Sequence, residues 1–115
     1  MNKKNKVEKM LEAKDCYTRA EVENWTNRVV ALDPEILSEE YRTARNQLFF
    51  VTGGFGATVH SMGTKVYGYF ISDGEGCFFR RHEILGAVRD VPEWARQKLP
   101  SADNPSTKTT KGQNI

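Results

Sequence analysis

The sequence predicts a single α+β domain: N-terminal amphipathic helices, a three- to four-stranded antiparallel sheet and a short C-terminal helix. Three observations carry this reading. Thr18 and Glu21 form a helix-start signature, and apolar residues follow it at spacings of three and four. From residue 47 onward the apolar pattern takes on the composition of strands, interrupted by glycine-rich turns. Near the end, Pro92 opens a short run that Pro100 closes.

The elements follow in chain order. Residues 1–17 hold Val7, Met10 and Leu11 at helical spacing and read as a flexible or frayed helical N-terminus ahead of the domain. Val22, Trp25, Val29 and Leu32 then share one face of a helix over about 19–32, with Trp25 as a core anchor. Asp33-Pro34 ends that helix, because the residue before a proline is pushed out of the α region. The same pair caps a second helical piece running to about Arg45, with Ile36, Leu37, Tyr41 and Ala44 inward.

Leu48, Phe49, Phe50, Val51 and Thr52 are strand formers that run into Gly53, Gly54, Phe55 and Gly56. A second strand covers 65–72, with Val66, Gly68 and Phe70 facing one way and Tyr67, Tyr69 and Ile71 the other. Asp73-Gly74-Glu75-Gly76 is a turn, and residues 77–81 form the third strand. Residues 82–88 suit either a helical turn or a fourth, edge strand. Residues 92–99 read as the closing helix, which ends a domain spanning 18–100. The tail 101–115 has almost nothing to bury and reads as disordered.

Composition excludes several classes. At 115 residues with 38% hydrophobic content, the chain has material for one small core and no deep enclosed site. Apolar runs reach only four residues, so no membrane span is expected. No apolar stretch follows the lysine-rich start, which points to a cytoplasmic protein. Cys16 and Cys77 form no CxxC pair and read as reduced thiols in small apolar sites. Of the usual metal-ligand spacings, Cys16, His60, Cys77 and His82 offer only a loose Cys77-x4-His82, so neither metal nor cofactor is expected. The net charge of +2 sits on the ends: residues 17–100 hold ten basic and eleven acidic side chains.

The glycine cluster lacks the lysine and following helix of a P-loop and the βαβ setting of a dinucleotide fingerprint. It reads first as a turn that needs glycine geometry, and second as a contact loop presenting Phe55, with Met62, to a partner. No nucleophile elbow is present, and the paired carboxylates Glu39-Glu40 read as a solvated helix face, so a catalytic role is not expected. Arg45, Lys65, Arg80 and Arg81 read as a basic edge beside the aromatic strands. Such an edge suits contact with single-stranded RNA or DNA, through phosphates and stacked bases. An exposed edge strand would also allow self-association, and the oligomeric state stays open.

The run RNQLFFVTGGFGATVHSMGTKVYGYFISDGE, with FFRRHEILG and PEWARQKL after it, resembles a small domain of phages and conjugative elements of Gram-positive bacteria. The likeness covers residues 41–99. It lies in the Arg-Asn-Gln start, the TGGFG loop, the Val66-x-Gly68-x-Phe70 strand, the DGE turn, Arg81-x-x-Ile-Leu-Gly and Pro92-x-Trp-Ala. Some small proteins of such elements are anti-CRISPR inhibitors of type II nucleases. The resemblance therefore implies a non-enzymatic inhibitor whose partner is a host defence protein, either a CRISPR effector nuclease or its guide complex. It brings no catalytic residues with it, and the first forty residues lie outside it.

Overall fold

The computed structural model describes residues 9–58 and 62–100. It is an α+β fold built on one five-stranded, wholly antiparallel sheet: β1 Val29–Leu32, β2 Leu48–Gly53, β3 Lys65–Phe70, β4 Gly76–Arg80 and β5 Ile84–Ala87. The spatial order is β4-β3-β2-β1-β5. Among the described residues helix is scarce: two α-helices of one turn each, α1 Ala44–Gln47 and α2 Glu93–Arg96, accompany short 3-10 turns.

The fold class holds, but among the described residues the N-terminal amphipathic helices are not there. The Thr18/Glu21 box does form, with the Thr18 amide donating to Glu21 Oε1 and the Glu21 amide to Thr18 Oγ1. It caps a single turn, after which Asn24 bridges to Thr58 and Asn27, in a left-handed conformation (φ 65°), turns the chain into β1. The apolar spacing of three and four was therefore a coincidence of two elements. Val29, Val30, Ala31 and Leu32 form a run buried on both faces, as suits a central strand. Trp25 is a core anchor nonetheless, 2% exposed, and reaches the core from the turn.

The second expected helix is likewise replaced. Two 3-10 turns, Pro34–Ile36 and Glu39–Tyr41, precede α1. Asp33 caps the first as expected, its Oδ1 accepting from the Glu35 amide. Arg42 then ties the loop together by donating to the carbonyls of Pro34 and Leu37. Residues 82–88 resolve into both alternatives, a 3-10 turn Arg81–Glu83 and then strand β5. The closing helix is present as α2, shorter than expected.

That 3-10 turn dictates the shape. β4 and β5 are opposite edges of the sheet, yet only three residues link them. Four residue steps span at most about 14 Å. Five flat strands would set the edges about 19 Å apart. The sheet must curl.

Its concave side encloses Trp25, Val30, Leu32, Phe49, Val51 and Val66. There Phe49 meets Phe70 and Phe79 edge-on, at 5.6 and 5.1 Å between centroids. The convex side carries a second cluster, in which Val29, Ala31, Leu48 and Phe50 are covered by Leu11 and Cys16 and by Val88, Trp94 and Ala95. Residues 9–17, placed by the sequence outside the domain, therefore belong to it as far as they are described. Gln47 fixes them: its side chain accepts from the Leu11 amide and donates to the carbonyls of Leu11 and Leu32. The expected tail, 101–115, and residues 1–8 lie outside the described residues.

Candidate functional site

The glycine loop is built by close approach. β2 ends at Gly53, and Gly54 continues at φ 108°, a conformation that side chains resist. A Cβ on Gly54 would run into the Lys65 carbonyl, and one on Gly56 into the Thr64 backbone. The 3-10 turn Phe55–Ala57 follows and buries Gly56 and Ala57. The Trp25 amide donates to the Ala57 carbonyl at 2.8 Å, which ties the loop to the core anchor. Between these fixed points the Phe55 ring stands 74% exposed. The loop is a turn, and it also presents a ring.

Beside it lies the outer face of the β3–β4 hairpin. Strand alternation sets Lys65, Tyr67 and Tyr69 on that face, opposite Arg80, Phe78 and Gly76. Tyr67 and Phe78 are 46% and 42% exposed, with ring centroids 5.8 Å apart. Lys65 Nζ sits 4.9 Å from the Phe78 ring centre. A cleft of about 560 Å³ joins this face to the loop, lined by Gly54, Phe55, Gly63, Lys65, Tyr67 and Arg80. Met62, almost wholly exposed, follows the loop. The face is open because the segments that cover the convex side reach β1, β2, Tyr69 and Ile71, and Tyr67 and Phe78 are not among the residues they cover.

Its electrostatics are one-sided. Lys65 and Arg80 are register partners, and like charges directly opposite on a sheet are destabilising. Among the described residues neither belongs to an ion pair, unlike Lys14 with Glu12, Arg89 with Glu21 and Arg96 with Glu93. The Glu83 carboxylate accepts from the Arg80 amide. Two opposed cations beside two open rings can attract negative charge and pack against flat or apolar groups.

Not every residue expected at the site is there. Gly54, Phe55, Lys65 and Arg80 come together, with Gly56 shaping the loop from within. Gly53 ends β2, and nothing lies within 4 Å of where its Cβ would stand. Arg45 is elsewhere, its guanidinium 3.8 Å over the Trp94 ring, because α1 turns it toward α2. Arg81 turns from the outer face and donates to the Thr58 carbonyl. Of the aromatics, Phe79 is core and Tyr69 packs on Phe50 at 5.4 Å, where burial raises its phenol pKa. The pairing of Tyr67 with Phe78 was not within reach of the sequence: a two-residue Asp73-Gly74 turn would set Tyr67 opposite Arg80, whereas the Phe70 amide bonds the Glu75 carbonyl and the longer loop sets Tyr67 opposite Phe78.

Two features had no clear sequence signal. Arg19 stacks 4.1 Å over Trp25 with both terminal nitrogens buried and without hydrogen-bond partners. Burial, with Arg81 nearby, lowers its pKa. A second cleft of about 500 Å³ has Ile36, Leu37, Phe70 and Phe79 as its floor and Asp73 and Glu75 at its rim. Cys16 is buried and Cys77 exposed, both as free thiols. Among the described residues, no three His, Cys, Asp or Glu groups gather as a metal site, and no helix is long and apolar enough to cross a membrane. His60 and Ser61 lie outside the described residues.

No protein-family model matches the chain, and neither a curated protein nor a solved structure does. What the geometry defines is a class: a small, curled antiparallel-sheet domain with one open, cationic and aromatic face.

Proposed function

We propose that this chain is a non-enzymatic binding protein that acts by covering its target through the outer face of β3–β4 and the glycine loop. The observation that carries the reading is the opposed pair Lys65 and Arg80 beside the exposed rings of Tyr67, Phe78 and Phe55. Three exposed rings beside two cations with no ion pair among the described residues leave more apolar and charged surface open than the Lys65–Phe78 contact uses. A docking surface would use the rest. The scaffold is suited to the task, because a rigid core anchor at Trp25 holds the loop that bears Phe55.

The target class follows from the resemblance of residues 41–99. It is a host defence factor, a type II CRISPR nuclease or its guide complex, met in the bacterial cytoplasm. Inhibition would come from occlusion, and no side chain of the chain needs to react.

The test uses a purified type II nuclease loaded with its guide and a target DNA, with cleavage followed as the protein is added. The expected result is inhibition that saturates near one equivalent. A Phe55→Ala, Arg80→Ala double variant, shown by circular dichroism to be folded, should lose it. Full inhibition by that variant would remove this face from the mechanism. Absence of inhibition and of binding by the unaltered protein would remove the target class.

A further inference from the structure

We infer that what this face grips is single-stranded nucleic acid, with bases stacked on Tyr67 and Phe78 and the backbone phosphates held by Lys65 and Arg80. The inference rests on the reading above that the outer face of β3–β4 is the docking surface, and it names the chemistry of the partner there.

Three properties of the face select this occupant. The first is the order of groups along the hairpin. The Lys65–Arg80 pair and the Tyr67–Phe78 pair are successive on one side of the sheet, so a cationic step adjoins an aromatic step. Two residues along a strand span about 7 Å, so a base stacked on the aromatic step lies within reach of a phosphate held at the cationic step. The second is ring presentation. Tyr67 and Phe78 each expose nearly half their surface, and their planes meet at 52°. Each can thus offer a face to a different base, whereas a duplex would present only sugar and phosphate to them. The third is the approach. Gly54 and Gly63 line the cleft without side chains, and Phe55 walls its end. A strand can therefore lie low across the hairpin and meet a third ring.

Charge also argues against an apolar protein segment as the occupant. Docking such a segment would desolvate Lys65 and Arg80 without neutralising either, and a phosphate between them relieves their repulsion. The shared chemistry is a single-stranded phosphodiester with exposed bases. RNA and DNA both provide it, and the 2′-hydroxyl distinguishes them.

The experiment is fluorescence anisotropy of the full chain with labelled oligo-U RNA, oligo-dT DNA and a duplex of equal length, between 50 and 200 mM salt. Both single strands should bind more tightly than the duplex. The ratio of their affinities shows which sugar is preferred. Two phosphate contacts give a log–log salt slope of about −1.4, and Lys65→Ala or Arg80→Ala should each reduce it by about 0.7. Tyr67→Ala and Phe78→Ala should each weaken binding roughly five- to hundred-fold with the slope unchanged. Phe78→Tyr, which keeps the ring, should bind normally and controls for folding.

No saturable binding up to roughly 100 µM, the weak end of non-specific affinity, overturns the inference. So does binding that ignores salt or prefers the duplex. Inhibition of the loaded nuclease without oligonucleotide binding would sink the inference and leave the docking surface standing. Oligonucleotide binding that depends on Tyr67 and Phe78, with no effect on the nuclease, would support the inference and remove the target class.

Discussion

The guanidinium of Arg45 lies 3.8 Å over the indole of Trp94, joining α1 to α2 across the convex side of the sheet. Asn46 and Gln47, which follow it, also tie distant parts together. Asn46 donates to the Tyr41 carbonyl and accepts from Ser72, while Gln47 holds Leu11 and Leu32. The Arg-Asn-Gln run is therefore a set of three staples and no part of the docking face. Arg45→Ala should cost about 1 kcal/mol in urea unfolding, and much less when Trp94 is already alanine. Equal losses in the two backgrounds would mean that the stacking contributes nothing.

Gln47 is fully buried, and its amide is fully used. Gln47→Leu fills much the same volume but strips partners from the Leu11 amide and from two carbonyls. Such orphaned groups cost about 1–3 kcal/mol. A fall of about 10 °C in the melting midpoint is expected, with faster amide exchange at Leu11. Unchanged exchange at Leu11 would show that other contacts hold the N-terminal segment.

The glycines of the loop are unequal. Gly53→Ala meets open space and should change stability by less than about 0.5 kcal/mol. Gly56→Ala forces a methyl group into the Thr64 backbone and should cost about 2–3 kcal/mol or more. Gly54→Ala adds a strained φ to a clash with Lys65 and should be at least as damaging. Thermal melts of the three variants check the ranking.

Burial, with Asp15 adding to it and Arg89 opposing it, pushes the Cys16 thiol from 9.0 up to about 11. Below pH 9 the thiol is protonated whether the chain is folded or not, and the apolar site contributes in full. Above that, the unfolded chain loses the proton first. Stability should then fall by roughly 2–3 kcal/mol as pH rises from 9 to 11. Tyr69, raised by burial as well, acts in the same direction. Cys16→Val should flatten most of this slope in denaturant titrations. In the native protein a maleimide should label Cys77 alone.

The strands were legible where one residue type serves both local preference and packing. Residues 48–52 and the alternation of 65–71 appear where the pattern puts them, while the turn expected over 73–76 falls over 71–73 and Gly76 already belongs to β4. The helices were not, because spacing alone cannot tell one amphipathic helix from a turn followed by a doubly buried strand. Val22 and Trp25 belong to the first, and Val29 and Leu32 to the second. What decided the matter was nonlocal: β1 gains partners on both edges, Phe49 and Phe50 on one side and Gly86 and Ala87 on the other. The site was half legible. Phe55, Lys65 and Arg80 were found from composition and context. Arg45 and Arg81 were grouped with them by charge, although sequence proximity says nothing about which face a side chain takes once the sheet curls.

Cys16 and Val88 pair in antiparallel fashion, with bonds from Arg89 to Asp15 and from Tyr17 to Ala87 on either side. In that geometry the flanking N-terminal and C-terminal segments leave from the same end of the pair. A pulling force applied through both would not shear these bonds together. Once Leu11 slips from Gln47 and Trp94 from Arg45, the Arg89 bond would carry the whole load, then the Tyr17 bond, each breaking in turn. The fold is thus mechanically weak when residues 9 and 100 are pulled apart, and it opens there like a zip.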